Sequence, residues 1–160
     1  MKKLLVILAV LASLNLSCDR KCGCSPPPPP RPLQLVFLSQ SGEDLLSPYT
    51  TGAFSLNEIK LYKNSPDGPA IKFDIKKPVP AGEEKIAFYH LISDELSRYG
   101  SGPNWFSNEI PYIQFRNEQP VKINILYDSN RKIDLYLNGY EIIKEDKAPY
   151  QNSLFYLKKN

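Results

Sequence analysis

The sequence predicts an all-β protein, an antiparallel β-sandwich of immunoglobulin-like type with about eight short strands and one short helix. Three observations carry this. Period-two alternation of apolar and polar residues recurs from Leu33 to the end of the chain, as it does when each strand has one buried and one wet face. Turn-forming Pro, Gly, Asn and Asp separate the runs. A single segment, "SDELSRYG", carries helix-terminus signals. Many short strands joined by such turns pack as a sandwich or a barrel.

The chain opens on what reads as an export signal, residues 1–17. Lys2 and Lys3 give it a positive start, Leu4 to Ala12 an apolar run, and Ser13, Asn15 and Ser17 lead up to Cys18. The apolar run falls short of the ~20 residues a spanning helix needs, so cleavage is expected. "LNLSC" resembles a bacterial lipoprotein signal, in which the cysteine thiol receives a diacylglycerol and the peptide is cut just before it. Ser17 matches the small residue of that pattern, while Asn15 and Leu16 stand where Leu and a small residue are usual. The resemblance implies a lipid on Cys18, bearing two or three acyl chains such as palmitate, enough for stable membrane anchoring.

Cys22 and Cys24 follow at once. A Cys-x-Cys disulfide closes a small, strained ring, and no His or further Cys adjoins to complete a four-ligand zinc site. Both are read as tether residues, oxidised to each other or additionally acylated. "SPPPPPRP" comes next, and consecutive prolines adopt an extended polyproline helix. At ~3.1 Å per residue, Pro26 to Pro32 would hold a domain about 20 Å further from a membrane. Pro-rich ligands of aromatic grooves have similar composition, but a place beside the anchor favours a stalk. Residues 18–32 are thus assigned as lipid anchor and Pro-rich tether, and 33–160 as the sandwich domain.

Within that domain "LQLVFLS" (Leu33–Ser39) is the first strand. "EIKLYK" sets Ile59 and Leu61 against Lys60 and Tyr62, and "AIKFDIK" sets Ile71, Phe73 and Ile75 against Lys72, Asp74 and Lys76. Asp67-Gly68 between them predicts a hairpin. "KIAFYHLI" is the next strand. In the helix that follows, Ser93 caps the start, Asp94 and Glu95 suit the first turn and Gly100 the end. Strands resume with "IPYIQFR" and "VKINILY". "KIDLYLNGYEII" places Asn138-Gly139 between alternating arms, which predicts a two-residue type I′ hairpin. "SLFYLKK" closes the domain.

Charge and motifs exclude several functions. The formal +3 counts Lys2 and Lys3, so the mature chain carries about +1, with interspersed charges unlike the clustered Lys and Arg of a nucleic-acid footprint. All three cysteines precede the domain, which removes a cysteine nucleophile and a core disulfide. The one histidine, His90, shares a strand face with Phe88 and reads as a packing residue. No Gly-x-Ser-x-Gly elbow, phosphate loop or calcium loop occurs. Glu83-Glu84 and Glu145-Asp146 lie beside lysines at strand ends, where charges are solvated. No cofactor, metal site or catalytic set is expected, and the chain is read as a non-enzyme.

Aromatics are in surplus. Tyr62 and Tyr136 fall on the polar faces of their strands, and "RYGSGPNWFSNEIPY" gathers Tyr99, Trp105, Phe106 and Tyr112 around a Gly-Ser-Gly-Pro-Asn loop expected to be flexible. These four are the candidate ligand-binding residues, since ring faces stack on sugars or grip a protein partner. The competing reading folds Trp105 and Phe106 back as a plug for the open end of the sandwich.

With the anchor, "NEIKLY", "YIQFRNEQPVKINILYD" and "LYLNGYEII" resemble the small single-domain lipoproteins of Bacteroidota. The resemblance implies a location at the cell envelope and a β fold and carries over no catalytic residue; the outer membrane is the expected site, with inner-membrane retention through Asp19 the alternative and the periplasmic or surface face left open. Two functions follow as expectations. One is a non-catalytic envelope accessory or protein-interaction module held at the membrane by its N-terminal lipid. The other is a glycan- or ligand-binding lipoprotein using the aromatic loop.

Overall fold

The structure is a computed structural model and describes residues 31–66, 68–80, 85–102, 107–129, 132–143 and 153–160. The signal, Cys18, Cys22, Cys24, the prolines up to Pro30, Asp67, Trp105 and Phe106 lie outside the described residues. Nine strands form among those described: β1 (Leu33–Leu38), β2 (Ile59–Lys63), β3 (Asp74–Lys76), β4 (His90–Ser93), β5 (Pro111–Phe115), β6 (Val121–Tyr127), β7 (Ile133–Leu137), β8 (Tyr140–Ile143) and β9 (Leu154–Lys159). The expected all-β sandwich results. One sheet runs β3-β4-β1-β9-β8 and the other β2-β5-β6-β7.

The core lies between the sheets. Leu35 and Phe37 of β1, Leu91 of β4 and Leu157 of β9 face Leu61, Ile113, Phe115, Ile123 and Leu135 of the second sheet. Phe37 meets Phe115 edge to face at 4.9 Å between ring centroids, a favoured aromatic geometry. β1 is buried on its other face too. Val36 and Leu38 join Tyr156 and Ile86 in a smaller cluster, with Phe88 packed against it. Burial on both faces explains why "LVFL" reads as an unbroken apolar run.

That second cluster shortens a predicted strand. Of "KIAFYHLI", three residues, His90, Leu91 and Ile92, enter β4 together with Ser93, while Ile86 forms a bridge with Val79. The intervening chain is spent covering the outer face of the first sheet, where Ile86 is buried.

The first predicted hairpin closes only next to its turn before the chain crosses to the other sheet, and the second becomes a crossover outright. β2 bends back, with Tyr62 bridged to Ala70 and the Ile71 N–H donating to Leu61 O (2.9 Å). The chain then leaves for the other sheet, where Asp74 of β3 pairs with Ile92 of β4. At Asn138-Gly139 the arms part again. β7 pairs along its length with β6, and β8 pairs with β9, setting Glu141 opposite Lys158. Gly139 takes φ +80°, whereas Asn138 is not among the positive-φ residues, so the type I′ geometry is absent. The reason is burial: Leu135 and Leu137 belong to one wall of the core, while Tyr140 and Ile142 pack from the other.

β1 and β9 pair in parallel, Leu35 opposite Phe155 and Phe37 opposite Leu157. The other strand pairs are antiparallel. The predicted helix is a single 3-10 turn, Leu96–Tyr99, followed by Gly100 in extended conformation (φ −78°). The N-cap is Glu95, which makes no side-chain cap bond, and not Ser93, which ends β4 and whose Oγ accepts the Leu96 N–H at 3.0 Å.

Candidate functional site

A cleft of about 760 Å³ opens where the β3 edge and the end of β4 meet the chain around Tyr99 and Glu109. Its lining is mostly polar and charged, including Lys72, Asp74, Asp94, Glu95, Arg98 and Tyr99.

Ser93 sets the geometry. Its hydroxyl donates to Lys72 O at 2.7 Å while accepting from Leu96, so the end of β4, the crossover chain and the 3-10 turn are tied at one buried point. Glu95 then bridges two walls. Oε1 accepts the Tyr99 hydroxyl at 2.7 Å, and Oε2 accepts the Lys72 N–H at 3.1 Å. The Tyr99 hydroxyl first, and the Lys72 N–H second, hold the Glu95 carboxyl below its ordinary range. Burial, helped by Glu95, pushes Tyr99 up.

Lys63 reaches in from β2. Its Nζ pairs with both Glu109 oxygens, at 2.9 and 3.1 Å, and lies 5.4 Å from the centre of the Tyr99 ring, within cation–π range. Hydrogen bonding to Glu109 raises the Lys63 ammonium above its ordinary value. Asp74 pairs with Lys76 at 2.5 Å, which is the main reason its carboxyl titrates low. Its Oδ1 also accepts the Ile75 N–H at 2.8 Å. Two backbone N–H groups along this sheet edge are therefore taken by carboxylates. Short length and charge blunt an edge strand against pairing with another chain.

Of the four predicted aromatic residues, two, Tyr99 and Tyr112, are among those described. Tyr99 lines the cleft. Tyr112 is stacked on its cross-strand partner Tyr62 at 5.7 Å and 10° between ring planes, and is not part of the cleft lining. Trp105 and Phe106 are outside the described residues. Tyr62, expected on a wet face, is buried because the chain returning from the β2 turn bridges it at Ala70. Tyr136 is 52 % exposed, as its alternation implies.

The start of the loop expected to be flexible is pinned. Ser101 donates to Ile125 O (2.9 Å) and accepts the Tyr127 N–H (2.7 Å), lying parallel to β6 at Leu126. Gly100 and Gly102 permit this. A side chain at Gly100 would collide with the Tyr127 ring, and one at Gly102 would meet Tyr127 O at 2.6 Å. Tyr127 in turn donates its hydroxyl to Ser97 O at 2.6 Å, and burial raises its pKa to about 12.

His90 is 3 % exposed, and its Nδ1 donates to Phe88 O at 3.3 Å. Burial lowers its pKa, as for a neutral packing residue. Among the described residues no cluster of three or more His, Cys, Asp and Glu could hold a metal ion, and no helix is long and apolar enough to cross a membrane.

Sequence reasoning missed Ser93 as an organiser, and Glu95, Lys63 and Glu109 as site residues. The four-residue spacing of Glu95 and Tyr99 was a legible hint. The Lys63–Glu109 pair spans 46 positions and leaves no local signal. Compared with protein-family models, curated proteins and solved structures, the chain matches none.

Proposed function

We propose that this chain is a lipid-anchored envelope protein whose sandwich acts without catalysis, as an accessory or protein-interaction module at the outer membrane. The lipid on Cys18 attaches it and the proline run spaces it from the bilayer. The observation that carries the non-catalytic part is the commitment of three of the cleft's four carboxylates, Asp94 being the fourth. Asp74 is bound to Lys76, Glu95 to Tyr99 and the Lys72 N–H, and Glu109 to Lys63. Asp74 and Glu95 are held low, the opposite of what a general acid requires near neutral pH. Labelling of cells with radioactive palmitate tests the anchor. The chain takes up label, Cys18→Ser abolishes it, and persistent labelling of that variant would refute the assignment. Protease shaving of intact cells then distinguishes a surface-facing from a periplasmic domain.

A second reading, glycan binding, is favoured by Tyr99 in a polar cleft beside Glu95 and Arg98, on the stretch of chain that continues into Trp105 and Phe106. Retention on glycan columns that Trp105→Ala abolishes without loss of stability supports it. Loss of 3–5 kcal/mol of stability, about the cost of truncating a buried aromatic, supports the plug instead.

A further inference from the structure

Two rings line the cleft from different stretches of chain, Phe73 from the crossover that leads into β3 and Tyr99 from the end of the 3-10 turn. Both are partly buried and packed against the core. Tyr99 is also fixed at two points. Its hydroxyl donates to Glu95 Oε1 at 2.7 Å, and the Lys63 ammonium stands 5.4 Å from its ring centre. A side chain already fixed loses little freedom when a ligand packs on it. With Ile92, these rings give an apolar patch inside a cleft whose other walls are polar. The volume, about 760 Å³, lies within the ~300–1,000 Å³ usual for small-ligand sites.

Charge in the cleft is balanced and largely paired. Asp74 is bound to Lys76, and Glu109 to Lys63. Against the other two carboxylates, Asp94 and Glu95, stand the cations Lys72 and Arg98. An ionic ligand would meet no net opposite charge there, and complementary charge is what selects ionic partners. An apolar ligand would bury carboxylate and ammonium groups against hydrocarbon, at a cost nothing offsets. A peptide adding a strand at β3 is also opposed. The Lys72 and Ile75 N–H groups are taken by the Glu95 and Asp74 carboxylates, and strand addition depends on such main-chain donors.

Hydrogen-bonding capacity remains for a neutral polar ligand. Each Glu95 oxygen accepts one bond, from Tyr99 or from Lys72, whereas a carboxylate offers about four lone-pair sites. Asp94 and Lys72 are exposed lining residues. We infer that the cleft binds a neutral oligosaccharide of pyranose rings. Its C–H faces stack on Tyr99 and Phe73, and its hydroxyls donate to Asp94 and Glu95 and accept from the Lys72 ammonium. This deepens the glycan reading by naming the ligand class and placing the site in the cleft, and it rests on that reading.

The test passes the full mature chain over an array of three glycan sets: neutral hexose oligosaccharides, uronate-bearing or sulfated chains, and amino-sugar chains with free ammonium groups. The expected result is retention of the neutral set alone, unaffected by added salt because no ion pair forms across the contact. Lys72→Ala and Asp94→Ala keep the backbone bonds of both residues. Each therefore leaves the melting temperature unchanged while weakening binding about tenfold. Tyr136→Ser, outside the cleft lining, binds as the parent chain does. Retention of charged glycans alone, or binding that salt abolishes, overturns the neutral class and leaves the glycan reading standing. Neutral binding that Trp105→Ala abolishes, and that Lys72→Ala and Asp94→Ala leave intact, overturns the cleft as the site with the glycan reading again standing. Retention of no glycan overturns both.

Discussion

Leu33 lies directly opposite Ser93 across the β1–β4 pair, so the first residue of the folded domain adjoins the residue that organises the cleft. The Gln34 N–H donates to Ser153 O at the same end, at 2.7 Å. Were the chain held by a lipid on Cys18, the end of the sandwich at which Leu33 enters would be the nearer to the anchor. Fluorophores on Asp94→Cys and Asn57→Cys, with Cys22 and Cys24 changed to Ser, report this in vesicles. A headgroup-attached quencher dims the position-94 label more than the position-57 label; equal dimming contradicts the orientation.

Arg116 binds Glu58 at 2.8 Å as well as the Gly52 and Ala53 carbonyls, and it does so at φ +51°. Arg116→Ala removes these contacts while retaining the left-handed strain, and costs about 1–3 kcal/mol in urea unfolding. Arg116→Gly removes the same contacts but relaxes the backbone, so it costs about 1 kcal/mol less. Equal losses would show that the backbone conformation stores no strain.

Glu58 closes a capping box on Ser55. The Ser55 N–H first, then Arg116, hold its carboxyl at about 2, against an ordinary 4.5. A folded pKa below the unfolded one means that the ionised carboxylate stabilises the fold. That contribution is complete above pH 4.5 and drains away as pH falls towards 2. Glu58→Gln therefore lowers stability at neutral pH and flattens the acid limb of a pH–stability profile between those values. An unchanged acid limb would assign the acid sensitivity to other carboxylates.

Gly100→Ala drives a methyl group into the Tyr127 ring. Overpacking of this kind costs about 1–3 kcal/mol, and combination with Tyr127→Ala recovers part of it in a double-mutant cycle. Strict additivity would mean that the two residues do not press on each other.

Strand content was legible from alternation alone. "VKINILY" reads as Ile123 and Ile125 inward, and β6 covers Val121–Tyr127 with both isoleucines buried. "IDLYL" likewise becomes β7 with its apolar residues inward. Side-chain direction in a strand is a local property with period two, so the sequence states it directly. The strongest turn signal, Asn138-Gly139, marked where the chain bends but not where it goes. A turn residue constrains a few dihedral angles, whereas strand pairing depends on which distant segments bury surface together.

The sequence by itself determined the alternation, the turn positions, the packing role of His90 and the confinement of all cysteines ahead of the domain. Tertiary structure alone decided that the chain crosses between the sheets after both predicted hairpin turns and that the first and last strands lie parallel. It also decided that Tyr99 lines the cleft while Tyr112 stacks on Tyr62. Each of those outcomes depends on contacts between residues far apart in the chain, such as Arg116 with Gly52 and Lys63 with Glu109. Such contacts form because core burial brings the two sheets together, and no local pattern of residues encodes them.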